Sequence, residues 1–162
     1  MGCGSRNRGM FMDENQTILL VDDNVDDLML LRMAFQKAEF KNQLQIVRNG
    51  EEAIQYLKGE GSYSDRDQCP LPAVMLLDLN MPMKDGFDVL SWVRAQPALK
   101  RLSIIILTSS MRIEDVERAF DLGASSYLVK PSRIEALIDM IRCLHDWLEI
   151  NHFPPLNEMV RR

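Results

Sequence analysis

The chain has 162 residues, 46% of them hydrophobic and 27% charged, with a formal net charge of −5. That length and balance suit a single globular domain with a sizeable core. An acidic chain without a basic stripe argues against nucleic acid as a partner, and no apolar run reaches the roughly 20 residues that a membrane span needs.

The chain opens MGCGSRNRG, which has no apolar stretch of the kind a secretory signal requires. Arg6 stands where an acylation signal beginning at Gly2 would want Ser or Thr. Residues 1–15 are therefore expected to be a disordered tail. Cys3, Cys69 and Cys143 are odd in number, scattered and free of any CxxC pair. That pattern favours reduced thiols in a cytoplasmic protein over a disulfide frame or a zinc site.

From position 16 onward, short apolar runs alternate with helical periodicity. TILLV (17–21) reads as a strand, followed by a helix over about 26–38 with Leu28, Leu31 and Phe35 on one face. LQIV (44–47) is a second strand, and Asn49 starts a helix that turns Ala53, Ile54 and Leu57 inward. GEGSYSDRDQCPLP (59–72) has the composition of a long loop. AVMLLD (73–78) is a third strand, and the helix over 86–95 stops before Pro97. SIIIL (103–107) precedes a helix over 113–122, and SYLV (126–129) precedes a last helix over 134–150. Five strands alternating with five helices predict an α/β domain: an open parallel sheet covered on both faces.

In such sheets ligands sit beyond the C-terminal strand ends, near the switch in strand order. The first strand delivers Asp22 and Asp23 there, and the third delivers Asp78 with Asn80 close behind. The fourth strand ends in Thr108 and Ser109, and the fifth runs into Lys130 and Pro131. Each of these residues has a bland explanation as a turn or strand-end residue. Their joint placement on four of the five strand ends does not. Clustered carboxylates repel one another and need a counter-charge. A hard divalent cation such as Mg²⁺ fits best, since it takes one or two carboxylates and keeps several waters. Such a site attracts phosphoryl groups, toward which a carboxylate is a competent nucleophile. Lys130 would add a point charge for phosphate oxygens, and Thr108 a hydroxyl donor.

The blocks ILLVDDN (18–24), MLLDLNMPMKDGFDVL (75–90), IIILTSS (104–110) and GASSYLVKP (123–131) appear in the order of the receiver domains of bacterial response regulators. The chain resembles that family over about 16–150, with residues 151–162 as a C-terminal tail. The resemblance implies a doubly wound, flavodoxin-like strand order 2-1-3-4-5. It also implies phosphoryl transfer from a sensor histidine kinase to Asp78. Asp23 and Asp78 would bind Mg²⁺ directly, Asn80 through its backbone carbonyl and Asp22 mainly through water. Thr108 and Tyr127 match the switch pair, and Lys130 matches the family's lysine, joined to Pro131 by a cis peptide bond. Asn80 and Ser110 fall where the family tunes phosphoryl hydrolysis, and Ser125 stands where Asp or Asn is common. No turnover enzyme is implied, only stoichiometric self-phosphorylation and slow autodephosphorylation.

Other readings compete. A haloacid-dehalogenase-type phosphatase also uses a strand-end Asp with Mg²⁺, but it wants a second Asp where Asn80 stands. A flavodoxin-like FMN binder would need a hydroxyl- and glycine-rich phosphate loop where this chain has acidic VDDNVDD. A receiver-like scaffold that takes no phosphate would have no use for Asp78, Thr108 and Lys130 together.

Only NHFPPLNEMVRR follows Ile150, too short for a DNA-binding module, so the chain is expected to act through its own surface. The loop over 59–72 and the tail at Phe153 to Pro155 resemble single-domain regulators paired with phytochrome-type kinases. The last helix carries two apolar stripes. Ile134, Leu137, Ile138, Ile141, Leu144 and Leu148 would cover the sheet. Ala136, Met140, Cys143, Trp147 and Ile150 form a second stripe, which either packs under the tail or forms a homodimer interface.

Overall fold

The structure, a computed structural model, describes residues 14–154 and 156. The tail expected over 1–15 therefore lies, except for its last two residues, outside the described ones, as do Cys3, Pro155 and the end of the C-terminal tail.

Five parallel strands form one sheet in the order β2-β1-β3-β4-β5. They are β1 (Thr17–Val21), β2 (Gln43–Val47), β3 (Pro72–Leu77), β4 (Ser103–Thr108) and β5 (Ser126–Val129). The intervening helices are α1 (Val25–Lys37), α2 (Gly50–Lys58), α3 (Gly86–Ala95), α4 (Ile113–Asp121) and α5 (Ile134–Ile150). The strand alternation splits the core into two layers. Ile18, Leu20, Val74, Leu76, Ile105 and Leu107 face α1 and α5, where they meet Leu31, Phe35, Ile141 and Leu148. Leu19, Val21, Met75, Leu77, Ile104 and Ile106 face the other side and meet Leu57 of α2, Leu90 of α3 and Ala119 of α4.

Side-chain caps start the helices that leave the site edge. Asn24 accepts from Asp27 N at α1, and Asn49 accepts from Glu52 N at α2. Asp85 and Asp88 satisfy each other's backbone N–H in a capping box at α3. Ser125 fills its unusual position by accepting from Ile104 N at 3.0 Å, which ties the start of β5 to β4.

The 59–72 stretch is more organised than its composition suggests. It contains a single 3-10 turn, Gly61–Tyr63. Arg66 folds inward and donates to the carbonyl oxygens of Tyr56, Leu57 and Cys69 at 2.8, 2.8 and 3.1 Å. The Tyr56 hydroxyl donates to Pro70 O at 2.8 Å. The half-buried Arg66 guanidinium thus satisfies two carbonyls at the end of α2, and the buried Tyr56 phenol ties the helix to the loop that follows.

On α5 the first apolar stripe packs as periodicity predicts, with Leu137, Ile141, Leu144 and Leu148 buried. The second stays largely uncovered: Cys143 is exposed, Trp147 is 43% exposed and Ile150 75%, while Met140 packs partly against the core. Phe153 is buried in the same layer as Leu144 and Leu148, so the tail's aromatic ring enters the core while Trp147 remains at the surface.

Candidate functional site

The C-terminal edge gathers the predicted residues as follows. Asp22 and Asp23 follow β1, where Asp22 N donates to Val47 O and so fixes the chain beyond the strand. Asp78 follows β3, and its N–H donates to Val21 O, which sets it beside the acidic pair. Asp22, Asp23 and Asp78 each present a carboxylate oxygen within 4.8 Å of the others'. Asp22 and Asp78 are buried, and so is Thr108.

Close approach of α3 helps hold Asp78. A Cβ built on Gly86 would lie 2.3 Å from Asp78 O and 2.8 Å from Leu79 Cα. No side chain fits there without moving the backbone that carries the carboxylate, so the helix seats against the site only because position 86 is glycine.

Lys130 reaches the cluster from the end of β5, anchored by its backbone N–H to Thr108 O at 2.7 Å. Its ammonium, 8% exposed, donates to Asp22 Oδ2 at 2.5 Å, Asp27 Oδ2 at 2.9 Å and Asp78 Oδ2 at 3.2 Å. Burial works against the charged amine, but the hydrogen bond to Asp22 and the charge of Asp78, with Asp27 behind them, outweigh it and raise its pKa above the ordinary lysine range. Asp22 is raised from the ordinary carboxyl range because burial outweighs its hydrogen bonds from Lys130 and from Asn24 N.

Asp27 was not singled out from the sequence. The available signal was its place in the first turn of a helix that begins at the site edge, where an acid faces the same pole as the strand ends.

One expectation is overturned. The Lys130–Pro131 bond is trans, and no cis peptide bond occurs among the described residues. Trans is the lower-energy isomer of X–Pro by about 0.5–1 kcal/mol. With it, Lys130 already reaches both Thr108 and the carboxylates, so nothing in the site requires the minority isomer.

Asn80 N–H points to Asp78 Oδ1 and its side-chain amide to Thr108 Oγ1, both at 3.4 Å. Ser110 donates through Oγ to Asp115 Oδ2 at 2.6 Å, and the Tyr127 hydroxyl donates to Ser110 O at 3.0 Å. The fourth and fifth strands are thereby linked through the loop that follows Thr108.

Residues 18–142 match the response regulator receiver domain family. The chain belongs to that family. This receiver domain is 34% identical over 140 residues to the response regulator Rcp1 of a Synechocystis strain, covering 86% of this chain and 93% of that protein. The crystal structure of the phosphorylated cyanobacterial phytochrome response regulator RcpA aligns with a TM-score of 0.76 at 31% identity, over 83% of this chain and 94% of that one. The Mn²⁺-bound form of Rcp1 aligns with a TM-score of 0.76 at 33% identity, over 86% of this chain and 99% of that one. Receiver domains bind a divalent metal, and the donor set here fits one: three carboxylates, two of them buried, and no soft ligand among them. The acidic pocket of Asp22, Asp23 and Asp78 suits a phosphoacceptor site of a two-component response regulator.

Proposed function

We propose that Asp78 is the phosphoacceptor and that a sensor histidine kinase supplies the phosphoryl group. The carrying observation is that Asp78 is the one carboxylate joining the acidic cluster, Lys130 and, through Asn80, the Thr108 hydroxyl. An Asp78 oxygen attacks phosphorus, the O–P bond forms, the N–P bond of phosphohistidine breaks, and the electron pair returns to the leaving imidazole with a proton. Lys130 supplies positive charge beside the new acyl phosphate, and the Thr108 hydroxyl turns to donate to it. Mg²⁺, held by Asp23, Asp78 and the Asn80 carbonyl with Asp22 acting through water, would neutralise phosphoryl oxygens when bound. The reaction is stoichiometric, with slow autodephosphorylation and no turnover of a separate substrate.

The similarity to RcpA, named as a phytochrome response regulator, favours a phytochrome-type kinase as the donor. Such a role places the unit, with bounds near 16–150, in the cytoplasm, where it works without nucleic acid or membrane. Output runs through the face of α4, β5 and α5, and the stripe of half-buried Met140 with exposed Cys143, Trp147 and Ile150 on α5 serves as a homodimer interface.

Incubation with acetyl phosphate and Mg²⁺ followed by intact-mass measurement tests the acceptor. Wild type should gain one phosphoryl group and Asp78→Asn none. Equal labelling of the two would overturn the assignment.

A further inference from the structure

The Lys130 ammonium has three N–H donors, and three carboxylates accept them: Asp22, Asp27 and Asp78. Its donor capacity is therefore filled before any phosphoryl group arrives. To bond a phosphoryl oxygen and still keep Asp78 Oδ2, the ammonium has to release Asp22 or Asp27.

The three are unequal. The Asp22 side chain is 1% exposed, so a carboxylate abandoned there finds little water in exchange, and Asp78, 7% exposed, is itself the residue that carries the phosphoryl group. Asp27 is 36% exposed, and solvent can replace the lost donor. Asp27 also stands outside the three-carboxylate cluster, on the first turn of α1.

We propose that Asp27 is the release partner of Lys130: it holds the ammonium in the unphosphorylated chain, yields it to the phosphoryl group, and so sets how readily Asp78 is phosphorylated. This rests on Asp78 being the phosphoacceptor. Asp27 touches no reacting atom and is a positioning residue that acts through Lys130. A bond made before transfer and lost after it stabilises the starting state alone. Removing it shifts the balance toward the phosphorylated form. Because Asp27 lies at the solvent rim, the expected effect is modest, about three- to tenfold.

The test compares wild type, Asp27→Asn, Asp27→Ala and Asp26→Asn in the full chain. Asp26 is exposed, shares the first turn of α1 and has no bond to Lys130, so its variant makes the same charge change without the release. Beryllofluoride affinity at saturating Mg²⁺ should rise about three- to tenfold in both Asp27 variants. It should change less than about twofold in Asp26→Asn, as expected of an exposed charge. NMR of the ¹⁵N-labelled lysine ammonium gives a readout without ligand: Lys130 protons should exchange with water faster in the Asp27 variants. In a Lys130→Ala background, Asp27→Ala should have no further effect on beryllofluoride affinity. Weaker beryllofluoride binding by the Asp27 variants would mean that Asp27 steadies Lys130 for the phosphoryl group, and would overturn the proposal. Equal effects of the Asp26 and Asp27 variants would overturn it too, leaving only net charge. Failure of wild type to label at Asp78 would instead strike the phosphoacceptor assignment.

Discussion

The phenolic hydroxyl of Tyr127 is tied to the carbonyl oxygen of Ser110, two residues beyond Thr108. The ring packs partly against the layer shared by α3 and α4. A pull on Thr108 from the site therefore reaches Tyr127 through one short loop, and that loop also fastens the start of α4 through Ser110 and Asp115.

This link makes the switch testable. Beryllofluoride should shift amide resonances across α4, β5 and α5 in wild type, as a population shift between two packings. Thr108→Ala should still accept a phosphoryl group at Asp78 but show less than about a tenth of the distant shifts, since the coupling element is gone. An unchanged spectrum over that face in wild type would count against the switch.

A second expectation concerns the stability cost of the acidic cluster. Burial raises the Asp22 pKa, so the folded chain holds this proton more tightly than the unfolded chain does. Its contribution therefore favours folding below the ordinary carboxyl range near about 3.9 and is lost as pH rises through the raised folded value. At neutral pH without divalent metal, Asp22→Asn should stabilise the chain by about 1 kcal/mol in urea unfolding. Adding Mg²⁺ should reverse the order, because wild type gains binding energy that the variant lacks. A variant less stable than wild type without metal would show that its bond to Lys130 outweighs its desolvation.

The exposed stripe of α5 supports a third. Light scattering should find wild type dimeric at high concentration, with beryllofluoride strengthening the dimer. Trp147→Glu should weaken association by roughly tenfold or more, as expected for a charge placed in the apolar centre of an interface. If the variant dimerises as well as wild type, or if neither dimerises, the stripe serves another partner.

Much of the molecule was legible in the chain. The five strands alternating with five helices, the helix start at Asn49, and the strand-end placement of Asp22, Asp23, Asp78, Thr108 and Lys130 follow from local periodicity and capping. Those signals act between near neighbours, so a linear reading retains them.

Other features depend on groups brought together from distant parts of the chain. Asp27 meets Lys130 across 103 residues, and its own neighbourhood explains it fully as an acid in a helix's first turn. Arg66 lies within a stretch of loop composition, and only the fold shows its guanidinium donating to three carbonyls. Sequence determined which groups reach the sheet edge. Tertiary structure determined how the single ammonium divides its three bonds among them, since burial and distance, not residue type, rank those partners.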